Sequence, residues 1–319
     1  MSVVEPGPAR VVLLERNRVL SARIARVLGA ADALGPVAIV DDPRALAPHQ
    51  LAPARLIACD ANDLDVAIGW LGRAPRARLV VWSGESTVPL IARAARHEAL
   101  SNLVGWPSFD SMPRAWELLY VARRLLGEPA PPLRELLPWG AAHTKFRPHT
   151  TAELESTVAA VLDLSERAGA SPRSALRISE AAHELLMNAM YDAPVDQYGE
   201  KRFAFERQRA IELAPEEAPT LRFATDGSKL TVEVVDPFGR LERHTLLAGI
   251  ARGAAENGAT LDASGGGAGL GLARIFGSGS ALFVDVVPGE RTSVTLVLDL
   301  DVRVREARLV PTSLHWFGS

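Results

Sequence analysis

Between residues 10 and 126, short apolar runs alternate with stretches whose apolar positions recur every three or four residues. Arg10–Leu14, Val37–Val40, Arg55–Ala58, Arg78–Trp82 and Asn102–Val104 are short and bounded by turn formers, and they predict strands. The intervening segments at about Ser21–Leu28, Asp65–Leu71, Pro89–His97 and Ser111–Leu126 predict helices. Such alternation predicts an α/β domain with a doubly wound parallel sheet and functional residues at the C-terminal ends of its strands. The pattern breaks at Gly127–Pro132, GEPAPP, where glycine follows a helix and prolines crowd together.

After the break the order of elements changes. Leu133–Thr150 has no clear period and reads as linker with an entry strand or turn. Thr151–Gly169 is amphipathic, and Ile178–Asp192 (ISEAAHELLMNAMYD) has neither proline nor glycine, so both predict helices. Residues 196–219 are polar and irregular. Thr220–Phe223 and Lys229–Val235 predict a hairpin around Asp226-Gly227, with helical character at 245–257 and Leu270–Phe276. Ala281–Val287 and Thr292–Asp299 predict a last hairpin. The expected organisation is a domain at 1–126, a linker at 127–150, a second domain at 151–302 and a tail at 303–319. The tail's apolar end, Leu314 to Phe317, is expected to dock on a partner or on its own domain.

Candidate chemistry concentrates in the second half. On Ile178–Asp192, Glu180, Glu184 and Asn188 follow at steps of four beside an apolar face of Ile178, Ala181, Ala182, Leu185, Leu186 and Ala189. Asparagine offers a neutral oxygen to a hard cation, and glutamate accepts a proton from water or a hydroxyl. Taken alone, such a stripe reads as a solvated face. Downstream, Asp236 ends a strand and Gly239 follows it. The run from Gly265 through Gly266, Gly267, Gly269 and Leu270 to Gly271 opens a helix, where backbone N–H groups can meet phosphate oxygens. His183-Glu184 lacks the second histidine of a zinc motif, because Met187 stands there. His143 and His149 have no acidic or cysteine partner nearby and read as surface histidines.

Composition narrows the classes. A chain of 319 residues, 48% hydrophobic, suggests two domains with sizeable cores. A net charge of −3 gives no reason to propose nucleic acid or an anionic membrane as partner. The single cysteine, Cys59, excludes an internal disulfide and fits a reducing compartment. No leader or membrane-spanning run is legible, so a soluble cytoplasmic protein is expected. The basic residues are nearly all arginine, a bias that suggests a GC-rich bacterial source. The lysines are Lys145, Lys201 and Lys229, so the first 144 residues contain none.

The first half resembles a response-regulator receiver domain. Its strands end in Glu15-Arg16, Asp60, Ser83 and Trp106-Pro107. The resemblance implies magnesium at an acidic pair on the first strand, a phosphoacceptor at Asp60 and a Lys-Pro pair after the fifth. Here Arg16 replaces the second acid and Trp106 the lysine. Phosphoryl transfer to a carboxylate needs a cation for the equatorial oxygens, and no lysine is available to supply it. A pseudo-receiver is therefore expected, a rigid docking or dimerisation domain, which leaves a homodimer open.

Residues 151 to 300 resemble the ATP-binding fold shared by gyrase, histidine kinases and mismatch-repair ATPases (the GHKL fold), and most of all bacterial anti-sigma-factor serine kinases. Three motifs carry the likeness: Glu184-x-x-x-Asn188-Ala189, Asp236-x-x-Gly239, and the glycine run ending Gly271-Leu272, with Thr292 matching a further threonine. The resemblance implies an α/β sandwich with a mixed, largely antiparallel sheet. It also implies ATP with Mg2+ as cofactors, Asn188 on the metal, Asp236 on the adenine and Glu184 as general base. Phe238, Arg240 and Arg291 stand where the family usually has glycine, which bears on affinity and turnover. Two functions follow as expectations. One is a signalling regulator that binds ATP-Mg and phosphorylates a partner protein, of a signalling or sigma-factor regulatory kind, on Ser or Thr. The other is a non-catalytic scaffold or partner-switching protein with a degenerate nucleotide site.

Overall fold

Apolar runs with no polar face must be covered on both sides, and in the computed structural model β1 (Val11–Leu14) is fully buried. The structure describes residues 9–33, 35–106, 113–131, 133, 137, 142–256, 268–300 and 311–318. The chain divides into two units, Met1–Ala130 with Arg308–His315 and Pro131–Ala307 with Trp316–Ser319. Both mix α and β structure.

In the first unit β1, β2 (Val37–Val40), β3 (Leu56–Asp60), β4 (Arg78–Ser83) and β5 (Leu100–Gly105) pair in parallel, in the order β2-β1-β3-β4-β5. The connecting helices are α1 (Arg18–Ala31), α2 (Pro48–Leu51), α3 (Leu64–Leu71), α4 (Val88–Ala94) and α5 (Ala115–Leu125). This is the doubly wound arrangement expected from the alternating pattern. Asn17 starts α1 by accepting the N–H groups of Val19 and Leu20 at 3.0 and 3.1 Å, a cap worth about 1 kcal/mol.

The second unit is built on β6 (Ala142–Phe146), β7 (Thr220–Thr225), β8 (Lys229–Asp236), β9 (Ala281–Val287) and β10 (Arg291–Asp299). They are antiparallel, in the order β6-β7-β8-β10-β9. The Asp226-Gly227 turn forms as expected: Asp226 accepts the N–H groups of Ser228 and Lys229, both at 2.9 Å, and Gly227 takes φ +85°. The helices are α6 (Thr151–Arg167), α7 (Pro172–Met187), α8 (Arg243–Glu256) and α9 (Ala268–Ser278); α7 packs on α6, β8 and β10, and α8 packs on α9. Thr150 and Glu153 close a capping box at the start of α6.

The end of the chain, expected as a docking tail, forms a strand, β11 (Ser313–Gly318). Leu314 and His315 pair antiparallel with Leu103 and Asn102 of β5. The Gly105 N–H donates to the Ser313 hydroxyl at 2.7 Å, and the Thr87 hydroxyl donates to the Thr312 carbonyl at 2.7 Å. His315 is buried, with Nε2 donating to Glu117 Oε1 at 2.8 Å and Nδ1 3.2 Å from the Asn102 side-chain oxygen. Arg114 pairs with Glu117 at 3.1 Å. Burial pushes the Glu117 carboxyl up, but the His315 hydrogen bond and the Arg114 charge outweigh it and hold it below the ordinary carboxylate range.

Glu117 therefore stabilises the first unit at pH values above its unfolded pKa of about 4.5, and that contribution fades as pH falls through its depressed folded pKa. His315→Ala leaves a buried carboxylate short of a donor. In urea titrations of the full chain at pH 7 it is expected to lower stability by about 3 kcal/mol, with a smaller difference below pH 4.

Candidate functional site

Ser171 opens α7 by accepting the Ser174 N–H at 3.1 Å, with Pro172 in the first turn. The apolar stripe from Ala175 through Ile178, Ala182 and Leu186 is buried as its spacing requires. After Met187 the helix widens into a π turn over Asn188–Asp192. That turn brings Asn188, Ala189, Asp192 and Ala193 to one wall of a cavity of about 270 Å³. Its position is fixed by Tyr191, which is fully buried with its hydroxyl donating to the Arg209 carbonyl at 2.8 Å and lying 2.8 Å from the Thr151 hydroxyl.

The facing wall comes from the sheet. Side chains alternate across a strand, so Val234 and Asp236 of β8 share a face with Thr292 and Val294 of β10. Asp236 and Thr292 stand directly opposite in the ladder. Lys201, Arg240, Glu242 and Thr245 add to the polar lining, and Leu185, Val195, Leu241 and Leu272 to the apolar lining. The volume is just below the usual range of small-molecule sites, about 300–1,000 Å³. Asn188, Asp236 and Thr292, widely separated in sequence, thus line one cavity.

Asp236 dominates its electrostatics. It is 7% exposed, and burial pushes its carboxyl up to about 6, against the N–H groups of Phe238, Gly239 and Thr292, while the Thr292 hydroxyl beside it is buried with no hydrogen-bond partner. The Phe238 N–H donates to Asp236 Oδ1 at 2.9 Å. Such a group is mostly ionised at pH 7 yet poorly solvated, which suits it to accept hydrogen bonds from a ligand's amino group. Gly239 has φ +61°, and any Cβ there would collide with the Val287 carbonyl at the turn before β10. Its glycine requirement is this close approach of two turns.

The other expected residues go elsewhere. Glu184 lines a second cavity of about 690 Å³ with Glu180, His183 and Arg274, and its Oε1 lies 3.9 Å from Arg274 Nη1. A Cβ on Gly271 would come 2.5 Å from Glu184 Oε2, so this glycine lets α9 approach α7 closely. Gly269 and Leu270 lie in the first turn of α9, while Gly265, Gly266 and Gly267 fall outside the described residues. Of the three residues at usual glycine positions, Arg240 lines the first cavity. Arg291 turns to Asp285 at 3.3 Å on the opposite face from Thr292. Phe238 is not part of the wall among the described residues.

The oxygen expected to hold magnesium has a different partner. Arg207 Nη2 donates to Asn188 Oδ1 at 3.2 Å and also pairs with Asp192. A dication does not fit against side chains already bound to a guanidinium. Among the described residues no group of three or more His, Cys, Asp or Glu side chains is arranged for a metal ion. Arg207, Lys201 and Asp192 escaped the sequence reading. Only the four-residue step from Asn188 to Asp192 offered a signal; the two cations sit in the segment read as irregular.

In the first unit, Asp60 Oδ1 accepts the Asn62 backbone and side-chain N–H groups at 2.8 and 2.7 Å. Arg16 pairs with Asp63 beside it. Burial pushes Glu15 up, with the charges of Asp60 and Asp63 adding to the effect. Ser83 accepts the Glu85 N–H at 3.1 Å, and Trp106 is buried at the end of β5. Pro107 lies outside the described residues.

No family model and no curated protein matches the chain. The crystal structure of the SiaB–SiaC complex from Pseudomonas aeruginosa contains a chain similar to this one at 19% identity and a TM-score of 0.35, covering 49% of this chain and 88% of that one. At that score the likeness carries no weight for function. No helix among the described residues is long and apolar enough to cross a membrane.

Because its folded pKa of about 6 exceeds the unfolded 3.8, Asp236 binds its proton more tightly in the native state. Its contribution is fully present below pH 3.8 and is lost as pH rises through 6. Asp236→Asn is thus expected to stabilise the protein at pH 7 by roughly 1–3 kcal/mol, the gain vanishing near pH 4 in matched denaturant titrations.

Proposed function

We propose that residues 151–302 form an adenine-nucleotide-binding module within a bacterial signalling regulator. The observation that carries this reading is the convergence of Asn188, Asp236 and Thr292 on a single cavity, since three separate motifs supply them. A desolvated carboxylate accepts the adenine amino group, and the apolar walls of Leu185, Val234, Leu241, Leu272 and Val294 cover the ring faces. The cations Lys201 and Arg240 and the polar end at Asn188 suit the sugar and phosphates. ATP is the expected nucleotide. Neither nucleic acid nor membrane is proposed as a partner.

Phosphoryl transfer to a Ser or Thr hydroxyl of a partner protein is a second reading, favoured by Glu184. Its carboxylate lines the larger neighbouring groove, where an acceptor segment has room, one helical turn before Asn188. In this role Glu184 takes the hydroxyl proton. The non-catalytic alternative keeps the nucleotide as a switch and leaves Glu184 as the partner of Arg274 and the neighbour of Gly271.

The first unit is proposed as a pseudo-receiver that docks a protein partner. Asp60 accepts both N–H groups of Asn62, and the nearby Arg16 is paired with Asp63 and so is not free to supply the cation an acyl phosphate needs. Incubation with acetyl phosphate is expected to leave the intact mass unchanged; a single phosphoryl addition lost in Asp60→Asn refutes the reading.

For the second unit, calorimetric titration with ATP is expected to give saturable binding that Asp236→Asn weakens by roughly tenfold or more. Unchanged affinity in that variant removes Asp236 as the base-reading group. In the same preparation Glu184→Gln separates the two readings: turnover is abolished at unchanged affinity if Glu184 is the base, and neither protein turns over if the module only binds.

A further inference from the structure

In the first unit α1 and α5 pack on one another and leave an open groove of about 360 Å³ between them. Its floor is apolar, with Val27, Ala30, Trp116 and Leu119, and Arg23 and Arg26 line it too. On α1, Val19, Arg23, Arg26 with Val27, and Ala30 follow one another at three or four residues, so they form one stripe along the helix. The buried stripe of α1 is a different one, Ser21, Ile24, Leu28 and Ala31. The helix thus carries a second apolar face, which its own core does not use, and Val19 at its start is 66% exposed. Trp116 is only half-buried, and tryptophan and arginine are the residues most enriched where proteins meet.

The charge at the groove has one sign. From Asn17 to Ala31 the chain holds Arg18, Arg23 and Arg26 and no acid. The next acid, Asp32, is taken by Arg10 at 2.8 Å. On α5 the one acid, Glu117, is buried with Arg114 and His315, and Arg123 has its own partner in Glu128 at 3.0 Å. Among the described residues Arg23 and Arg26 have no ion-pair partner.

We propose that the groove between α1 and α5 docks an acidic amphipathic helix of a partner protein. The inference rests on the reading of the first unit as a docking domain. A helix laid between two others places apolar residues at i, i+3 or i+4, and i+7 on the floor, and the carboxylates flanking that stripe meet the guanidinium forks of Arg23 and Arg26. The 14 residues of α1 give it about 21 Å, room for three to four turns of the partner. A second copy of this chain suits the groove less well. The acids on the outer face of α6, Glu155 and Asp163, already have His183 and Arg167 beside them.

The test is selection of displayed helical peptides, randomised at charged and apolar positions, against the immobilised full chain. It is expected to enrich helices with acids flanking an apolar stripe. The most enriched peptide, titrated by fluorescence anisotropy, should bind roughly tenfold or more weakly to the double variant Arg23→Glu, Arg26→Glu and to Trp116→Ala. The same peptide with lysine for each acid should prefer the double variant to the wild type, a rescue that a misfolded chain cannot give. Enrichment of basic or uncharged helices, or affinity unchanged in the double variant, overturns the groove assignment and leaves the docking reading standing. Enrichment of no helix at all overturns both. A wild-type chain that sediments as an oligomer, and as a monomer once Arg23 and Arg26 are reversed, gives the groove to a second copy and overturns the proposal as well.

Discussion

The carboxylate of Asp236 is the constraint around which the second unit is arranged. Placing a carboxylate at 7% exposure costs several kcal/mol unless donors meet it. The N–H groups of the next turn answer part of that demand, and forming the turn brings the chain at Gly239 against Val287 so closely that only glycine fits. The antiparallel register then sets Thr292 opposite Asp236 and Val294 opposite Val234. Because the remaining cost is not removed, the group stays a strained acceptor near pH 6. Folding alone gains nothing from that arrangement, and a ligand donor would relieve it, which is the usual signature of a site.

Opposite this acid, the π turn at the end of α7 sets the second polar pole. The turn carries Asn188 and Asp192 on one wall of the cavity, and Tyr191 within it is buried. Tyr191 then ties the segment around Arg209 to α6, and the guanidinium of Arg207 follows from that tie. The cavity thus has a desolvated acid on one wall and Asn188 with Asp192 on another, with apolar side chains completing the lining.

In the first unit the last strand depends on a buried polar set. Glu117, Arg114, Asn102 and His315 meet in the interior beside β5, and the histidine comes from the far end of the chain. Apolar residues would bury the same area without a desolvation cost. What the polar set adds is register: sliding β11 by one residue would carry His315 to the other face and leave Glu117 Oε1 without the imidazole donor.

Much of the fold was readable in the chain's own periodicity. Strand and helix patterns are local, so the five parallel strands, the Asp226-Gly227 hairpin and the amphipathic helices could be placed from spacing alone, with boundaries off by a few residues. The motifs at Asn188, Asp236 and Thr292 were singled out by their resemblance to a family pattern, Thr292 on that ground alone, and not by periodicity. Glu184 shows the limit of that reasoning. It shares a stripe with Asn188 in the sequence, yet Asn188 lines one cavity and Glu184 another. Tertiary structure alone decided the rest. Arg207 reaches Asn188 across 19 residues of irregular chain, and His315 reaches Glu117 across 198. Contacts of that separation leave no period in the sequence, because they are set by where the intervening chain is anchored and not by its local propensity.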